Sequence, residues 1–273
     1  IAVLELSSFQ LQDLNRSPRV AVVLDVFPEH LDAHRSTQEY FAAKAAMCRF
    51  QTKNDVVFYF ADNTRSSGIA KTSPGRKIGL RVKDAAKRNA VMAAAVARYL
   101  GVKKSVIAAA IKSFSGLPHR LELVRNIDGM RFVNDSAATN PHATAFALAH
   151  FKEPLVLIAG GKDKELDSAP LIRAIQSRRN VKLVVLIGEN RKKLARALRV
   201  HRRIKNNELR IMEKKTLRGA VTAAYRFATP QSIIHNSAFI ILFSPAAASF
   251  DMFRDYADRG EEFRKVVRSL KTL

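Results

Sequence analysis

Beyond residue 150 the chain alternates short, almost wholly apolar runs with stretches of helical period. The runs cover 155–159, 181–187 and 238–243, and the helical patterns lie around 170–177, 191–198, 217–228 and through much of 251–270. A strand that is apolar on both faces must be covered on both faces, and a helix between consecutive strands returns the chain in a right-handed crossover. An α/β fold with a mostly parallel, doubly wound sheet follows.

The first part carries the same signals less regularly. Residues 1–6, Ile-Ala-Val-Leu-Glu-Leu, read as a buried parallel strand with one carboxylate, Glu5, which in that setting needs a metal ion or a cation as partner. Ser7, Ser8 and Gln10 add hydroxyls and an amide at its end. Further strands are expected at 20–26 and 55–60, and helices at 37–50, 84–100 and 103–114. The last is rich in small residues, Ala108, Ala109 and Ala110, which suit close packing on a sheet. Between 61 and 79 lies a short stretch rich in Gly, Ser and Lys.

Gly116 and Pro118 end the first series of elements, and a new series begins after Asn140, so the segment from Gly116 to Asn140 reads as a hinge. The expected domains are 1–117 and 118–273. Arg120 offers a planar fork for phosphate or carboxylate oxygens, and Asp135 follows the apolar pair Phe132 and Val133, near the C-terminal end of a strand where open α/β sheets keep their ligands. An Arg-Asp ion pair holding two domains together is the plainer reading of the same two residues.

With 273 residues, 47% of them hydrophobic, the chain can bury a sizeable core. No apolar run approaches the roughly 20 residues that span a bilayer, and Cys48 is the lone cysteine, which fits a reducing cytoplasm. The expectation is a soluble, cytoplasmic monomer without membrane partners. The net charge of +23 raises nucleic acid as a partner. The basic clusters are dispersed, however, few aromatics lie among them and Trp is absent, so no stacking platform results and specific nucleic-acid binding is not expected.

Three motifs in the first part then stand in order. Glu-Leu-Ser-Ser-Phe-Gln begins at Glu5, His-Leu-Asp-Ala-His begins at His30, and Ala-Ala-Lys ends at Lys44. Taken singly, His30 reads as a hydrogen-bonded structural histidine and Lys44 as a solvent-facing helix lysine. Later come Gly-Leu-Pro-His-Arg ending at Arg120, Asn-Asp-Ser-Ala-Ala-Thr-Asn around Asp135, Gly-Gly-Lys-Asp-Lys ending at Lys164, and Ser-Pro-Ala-Ala-Ala-Ser-Phe-Asp from Ser244. Together these resemble the Mur ligases, most of all the branch that adds D-glutamate. The resemblance covers nearly the whole chain.

It implies the rear portion of a central ATPase domain followed by a Rossmann-like, amino-acid-binding domain. It assigns Glu5, His30 and Lys44 to magnesium, Lys44 as a carbamate that supplies a hard oxygen where an ammonium would repel the cation. His30 and Lys44 are thereby the catalytic residues, and Asn89, Arg120 and Asp135 face ATP. Ser7, His119, Thr139, Lys164, Ser249, Phe250 and Tyr256 border the substrates. Two departures stand out: Ala85 and Ala86 replace a His-Asn pair near the adenine, and Ala137 stands where a lysine serves the glutamate site. Without the resemblance, residues 160–164 are only a Gly-rich turn, and Ser249 an ordinary N-cap at a helix start whose free N-H groups favour an anion.

The implied reaction is ATP-dependent amide formation between UDP-N-acetylmuramoyl-L-alanine and D-glutamate through an acyl phosphate, in peptidoglycan synthesis. The chain starts at Ile1 rather than Met and contains no G-x-x-x-x-G-K-[ST] loop. It therefore reads as a fragment without the N-terminal domain, expected to be inactive as written. The alternatives are a related ligase with another amino-acid substrate and a noncatalytic, basic nucleic-acid-binding module.

Overall fold

In a parallel sheet each strand is placed by the crossover that leads into it, so the order of strands records how the helices are shared between the two faces. The structure, a computed structural model, describes residues 1–27, 34–84, 87–200, 209–235 (backbone only from 230) and 238–271. It divides into two compact units, Ile1–Phe114 and Ser115–Leu273.

The first unit holds a parallel sheet in the order β1 (Val20–Val23), β2 (Val56–Phe60), β3 (Arg76–Leu80). Its helices are α1 (Ser8–Gln12), α2 (Thr37–Arg49), α3 (Thr64–Ala70), α4 (Arg88–Tyr99) and α5 (Lys104–Ser113). Alternation along the strands sorts the core. Ala21, Val23 and Val57 pack with Tyr40, Ala45, Cys48 and Ile69 of α2 and α3, while Val56, Phe58 and Phe60 pack with Met92 of α4. Cys48 is buried, and desolvation pushes its thiol up to about 11.

Two expectations are corrected here. Residues 1–6 are neither a strand nor buried: Val3 is 92% exposed, and they pair with no strand among the described residues. An apolar run becomes a strand only when a neighbour takes its backbone hydrogen bonds, and here the sheet closes at β1. The small residues of α5 do not lie on a sheet. The helix has no buried residue and touches α4 instead, because its face toward the unit carries nothing larger than the half-buried Ile107. Within the stretch from 61 to 79, Asn63 caps α3 by accepting from Ser66 N, and β3 follows.

The second unit is a six-stranded sheet in the order β4-β5-β9-β6-β7-β8. Its strands are β4 (Glu122–Ile127), β5 (Met130–Asn134), β6 (Leu155–Ala159), β7 (Val181–Leu186), β8 (Arg210–Glu213) and β9 (Phe239–Phe243). Only β4 runs antiparallel, joined to β5 by a tight turn with Asp128 and Gly129 at positive φ. The helices are α6 (Pro141–Leu148), α7 (Ala169–Gln176), α8 (Arg191–Val200), α9 (Leu217–His235) and α10 (Tyr256–Arg268).

Two cores flank this sheet. Val133, Leu155, Leu157, Ala159, Val184, Ile240 and Leu242 face α6, α7 and α8. Phe132, Val156, Ile158, Leu183, Val185, Ile241 and Phe243 face α9 and α10. Every second residue of a strand thus enters the opposite core, which is why the inner strands β6 and β9 are apolar throughout. At roughly 25 cal/mol per Å² of apolar surface, this double burial is the main term holding the unit together. Among the described residues no helix is long and apolar enough to cross a membrane.

Candidate active site

Strands β5 and β6 hand the chain to α6 and α7 on one face of the second unit's sheet. Between them β9 leads to α10 on the other. Neighbouring strands that diverge to opposite faces leave a crevice at their C-terminal ends, the usual ligand position in such sheets. The loops that meet there are 135–140, 160–168, 188–190 and 244–255.

Asp135 follows β5 directly and is 7% exposed. Its Oδ2 accepts from Ser244 Oγ at 2.6 Å and its Oδ1 from Leu121 N at 3.2 Å. Ser244 ends β9, and its hydroxyl also lies 2.9 Å from Thr144 Oγ1 of α6. Burial dominates the Asp135 carboxyl and pushes it up to about 6, against the hydrogen bonds and the Arg120 charge, which favour the ionised form. Arg120 is exposed and acts on Asp135 only through that charge, because among the described residues no ion pair joins them. The inter-domain ion pair is therefore not what Asp135 makes; its hydroxyl and backbone donors lie within the same unit.

His119 sits at positive φ with its ring buried. Its Nδ1 lies 2.9 Å from Asn134 Nδ2, whose amide donates, so the imidazole proton belongs on Nε2, 3.7 Å from Glu261. The ring also meets Tyr256 edge-on at 6.5 Å. Glu122 accepts from His119 N and Arg264. Although burial alone would raise its carboxyl, these donors hold it below the ordinary range.

The sequence assigns no role to Arg259, on the last helix. It is 1% exposed. Nη2 donates to Ser136 O at 2.9 Å, Nε to Ser136 Oγ at 3.1 Å and Nη1 to Ala247 O at 2.9 Å, so the guanidinium ties the loop after β5 to the loop after β9. Desolvation brings it down to about 10, opposed by the charge of Asp251. Nothing local in the sequence could have revealed a partner 123 positions away.

Lys162 pairs with Ala248 in an antiparallel bridge, and a cavity opens beside it. Lys162, Lys164, Lys193, Asp163, Asn190 and the stretch from Ala246 to Ala248 are among its lining residues. Lys193 Nζ donates to Asp163 Oδ2 at 2.9 Å and Oδ1 at 3.1 Å, which holds the Asp163 carboxyl below its ordinary range. Ser249, next to the cavity wall, is buried, whereas Phe250 and Tyr256 are largely exposed and Thr139 is half-buried beside the α6 cap Asn140.

The loop after β9 departs from expectation. Helix α10 starts at Tyr256, and Asp255 caps it by accepting from Asp258 N; Ser249 is not its cap. Ser249 O instead accepts from Met252 N and Phe253 N in a turn. With Asp255 as its cap and Asp258 in its first turn, the α10 N-terminus already has its negative charge and does not invite a further anion.

The first unit's candidates are less assembled. Glu5 is exposed in the unpaired segment 1–7, and Ser7 caps α1 in a capping box with Gln10. Lys44 lies half-buried in α2 with its ammonium 5.1 Å from the Tyr40 ring centroid, and Asn89 is exposed in the first turn of α4. His30 lies outside the described residues. Among the described residues no group of three His, Cys, Asp or Glu could hold a metal ion, so they do not by themselves supply the magnesium site.

What the first unit does assemble is a buried arginine. Arg88 donates to Asp25 through Nε and Nη2, each at 2.8 Å, to Asp62 through Nη1 at 2.8 Å, and to Val82 O at 2.7 Å, over the Phe60 ring. The residues that follow β1, β2 and β3 are thereby tied to the start of α4.

Two family models match the chain in succession, the Mur ligase middle domain over residues 1–122 and the Mur ligase, glutamate ligase domain over residues 119–238. The chain belongs to the Mur ligase family. Curated relatives support this Mur ligase assignment. The UDP-N-acetylmuramoylalanine--D-glutamate ligase of Acetivibrio thermocellus is 34% identical over 98% of this chain and 64% of that protein. Its namesake in Pelotomaculum thermopropionicum is 33% identical over 99% and 64%. The chain thus spans 64% of the length of these relatives. In fold it resembles the folylpolyglutamate synthase of Mycobacterium tuberculosis complexed with ADP, at 16% identity, with a TM-score of 0.63 over 94% of this chain and 65% of that one.

Proposed function

We propose that this Mur ligase chain serves an ATP-dependent carboxylate-amine ligase that adds D-glutamate to UDP-N-acetylmuramoyl-L-alanine in peptidoglycan synthesis. The observation that carries the reading is the name shared by relatives about one third identical over nearly all of the chain. A lysine-lined cavity at the switch point of the glutamate ligase domain supports it.

On this reading the γ-phosphoryl group of ATP passes to the L-alanine carboxylate. The amine of D-glutamate then attacks the acyl carbon, an N-C bond forms, the C-O bond to phosphate breaks, and inorganic phosphate leaves. The chain's own part is positioning and charge neutralisation. Asn89, Arg120 and Asp135 are assigned to the nucleotide side, and Ser7, His119, Thr139, Lys164, Ser249, Phe250 and Tyr256 to the substrates. The buried Arg259 keeps the loops after β5 and β9 in register around the amino acid.

Magnesium, when bound, neutralises charge on the moving phosphoryl group. Glu5, His30 and a carbamate on Lys44 are the residues that the family resemblance assigns to it. A cytoplasmic, monomeric enzyme completes the reading.

Ala137 favours one second reading, a ligase of the same type for another amino acid. The test is phosphate release from ATP by the natural gene product that carries these 273 residues, given UDP-N-acetylmuramoyl-L-alanine and each of several amino acids. Release that depends on D-glutamate supports the proposal. Release with a different amino acid replaces the substrate, and steeply salt-dependent binding of nucleic acid without release favours the basic binding module.

A further inference from the structure

Helix α8 carries a charge pattern that neither the ligase reading nor the packing of the second unit uses. Its ten residues, Arg191–Val200, hold five cations and no carboxylate, and three of the five stand in the first turn. Cations at that end oppose the helix dipole, and like charges four apart repel along one face, so the sequence lowers the stability of its own helix. A local conflict of this kind is expected at functional sites.

Part of the charge is compensated within the chain. Arg191 Nη1 donates to Gly188 O at 2.8 Å, and Lys193 Nζ to Asp163 Oδ2 at 2.9 Å. Arg199 meets Glu213 at 3.4 Å, with its side chain 57% exposed. Lys192 and Arg196 are exposed and make no ion pair or hydrogen bond among the described residues. Leu194, Ala195 and Leu198 are buried against the sheet, which fixes the helix and leaves its other side outward. On that side Lys192, Arg196 and Arg199 follow one another at i, i+4 and i+7, a row of cations about 10 Å long at the rise of an α-helix.

The row offers charge and little else. It has no aromatic or apolar anchor of the kind that dominates protein interfaces. Apart from Val200, the apolar residues of α8 are turned into the molecule, so the helix has no apolar face to lay into a bilayer. Its partner is therefore held through charge alone. A phosphodiester backbone meets that requirement, because neutralising its phosphates releases condensed counterions. A row one residue wide follows one strand, and without aromatic neighbours it reads no base.

We infer that the outward row Lys192, Arg196 and Arg199 of α8 is a docking site for the phosphodiester backbone of single-stranded nucleic acid, bound without regard to sequence. The inference goes beyond the ligase reading and does not depend on it, since the row contains no residue assigned to ATP, magnesium or the substrates.

The test is the binding of a labelled oligouridylate by the natural gene product that carries these 273 residues, followed by fluorescence anisotropy from about 50 to about 200 mM salt. Wild type is compared with Lys192→Glu/Arg196→Glu, and with Lys103→Glu/Lys104→Glu, which makes the same change of charge at two exposed lysines of the first unit. At about 0.7 of salt slope per phosphate on a single strand, the α8 variant should lose about 1.4 from the slope and about tenfold in affinity, whereas the first-unit variant should stay within about threefold of wild type. Lys192→Gln/Arg196→Gln should lose the same slope, and it carries the test if the charge reversal prevents folding. Oligothymidylate should behave like oligouridylate, since only the backbone is read. Equal losses in the two reversed variants reduce the effect to diffuse charge and overturn the inference, as does a wild type that binds neither oligonucleotide. Vesicles of phosphatidylglycerol bound through Lys192 and Arg196, with the oligonucleotides left free, overturn it in favour of a membrane surface. Phosphate release from ATP, measured on the same variants, should be unchanged, so the ligase reading stands or falls separately.

Discussion

The hydroxyl of Ser244, at the end of the central strand β9, donates to the carboxylate of Asp135, at the end of its neighbour β5, across 2.6 Å in a buried site. The bond clamps the two strands where they diverge to opposite faces, and it keeps a carboxyl group in surroundings that resist its charge.

That resistance has a sign. The Asp135 carboxyl rises to about 6 in the folded protein, above the roughly 3.9 of an unfolded chain. Between these values the folded state holds a proton that the unfolded state has lost, so stability falls as pH rises from about 4 to about 6 and stays lower above that range. Asn at this position keeps an acceptor for Leu121 N and gains a donor toward Ser244 Oγ without a charge. Asp135→Asn is expected to be more stable than wild type by about 1–3 kcal/mol at pH 7.5, with the gap closing near pH 4. Urea denaturation at both pH values measures it. A wild type more stable than the variant at pH 7.5 would contradict the account.

Arg259 is the second lever. Replacing it by Met keeps most of the buried volume and leaves Ser136 O and Ala247 O without their donors, at a cost of about 2–4 kcal/mol. Lys is little better, since an ammonium cannot fork to two loops. Thermal melting should show both variants well below wild type, and Arg259→Lys matching wild type would remove the forked geometry from the explanation.

Gly260 packs directly on the His119 ring: a Cβ there would stand 2.8 Å from both Cγ and Cε1. Gly260→Ala should cost about 1–3 kcal/mol by overpacking. Trimming the ring relieves the clash, so His119→Gly combined with Gly260→Ala should cost clearly less than the sum of the single changes. Additive costs in a double-mutant cycle would mean that the contact does not matter.

In the first unit, Arg88→Met leaves the part-buried Asp25 and the more exposed Asp62 facing one another without their cation, and losing these charge-assisted bonds costs about 1–3 kcal/mol. Asp62 is held below the ordinary carboxylate range chiefly by its hydrogen bond from Arg88, so the loss should ease on acidification, as the freed carboxylates take up protons. Denaturation of the variant at pH 5 and pH 7.5 separates this from a simple packing defect, which would be indifferent to pH.

The architecture of the second unit was legible in the sequence because its strands are buried on both faces. A run such as Phe-Ile-Ile-Leu-Phe in β9 has few other homes. Strand β4 was not legible, since Glu122, Arg125 and Asn126 break its apolar pattern, and neither was β8, a four-residue edge strand that opens on Arg210 and closes on Glu213. The segment 1–6 misled for the converse reason: its apolarity is real, and pairing, which decides a strand, is not written locally. The site shows the same division. The family resemblance named Asp135, Lys164 and Ser249, which lie on loops that meet at the crevice. Arg259, Lys193 and Arg88 act through partners 123, 30 and 63 positions away, and only the folded chain brings those together.

Strand β9 lies between β5 and β6, although it comes after β8 in the chain. The second unit therefore keeps an open slot in the middle of its sheet until residue 243 has left the ribosome. At roughly 5–20 residues per second, β5, β6 and β7 wait several seconds with both flanks of that gap unpaired. A nascent chain of this kind is most exposed to wrong strand pairing late in its synthesis, and its folding is completed by an insertion into the centre rather than by growth at an edge.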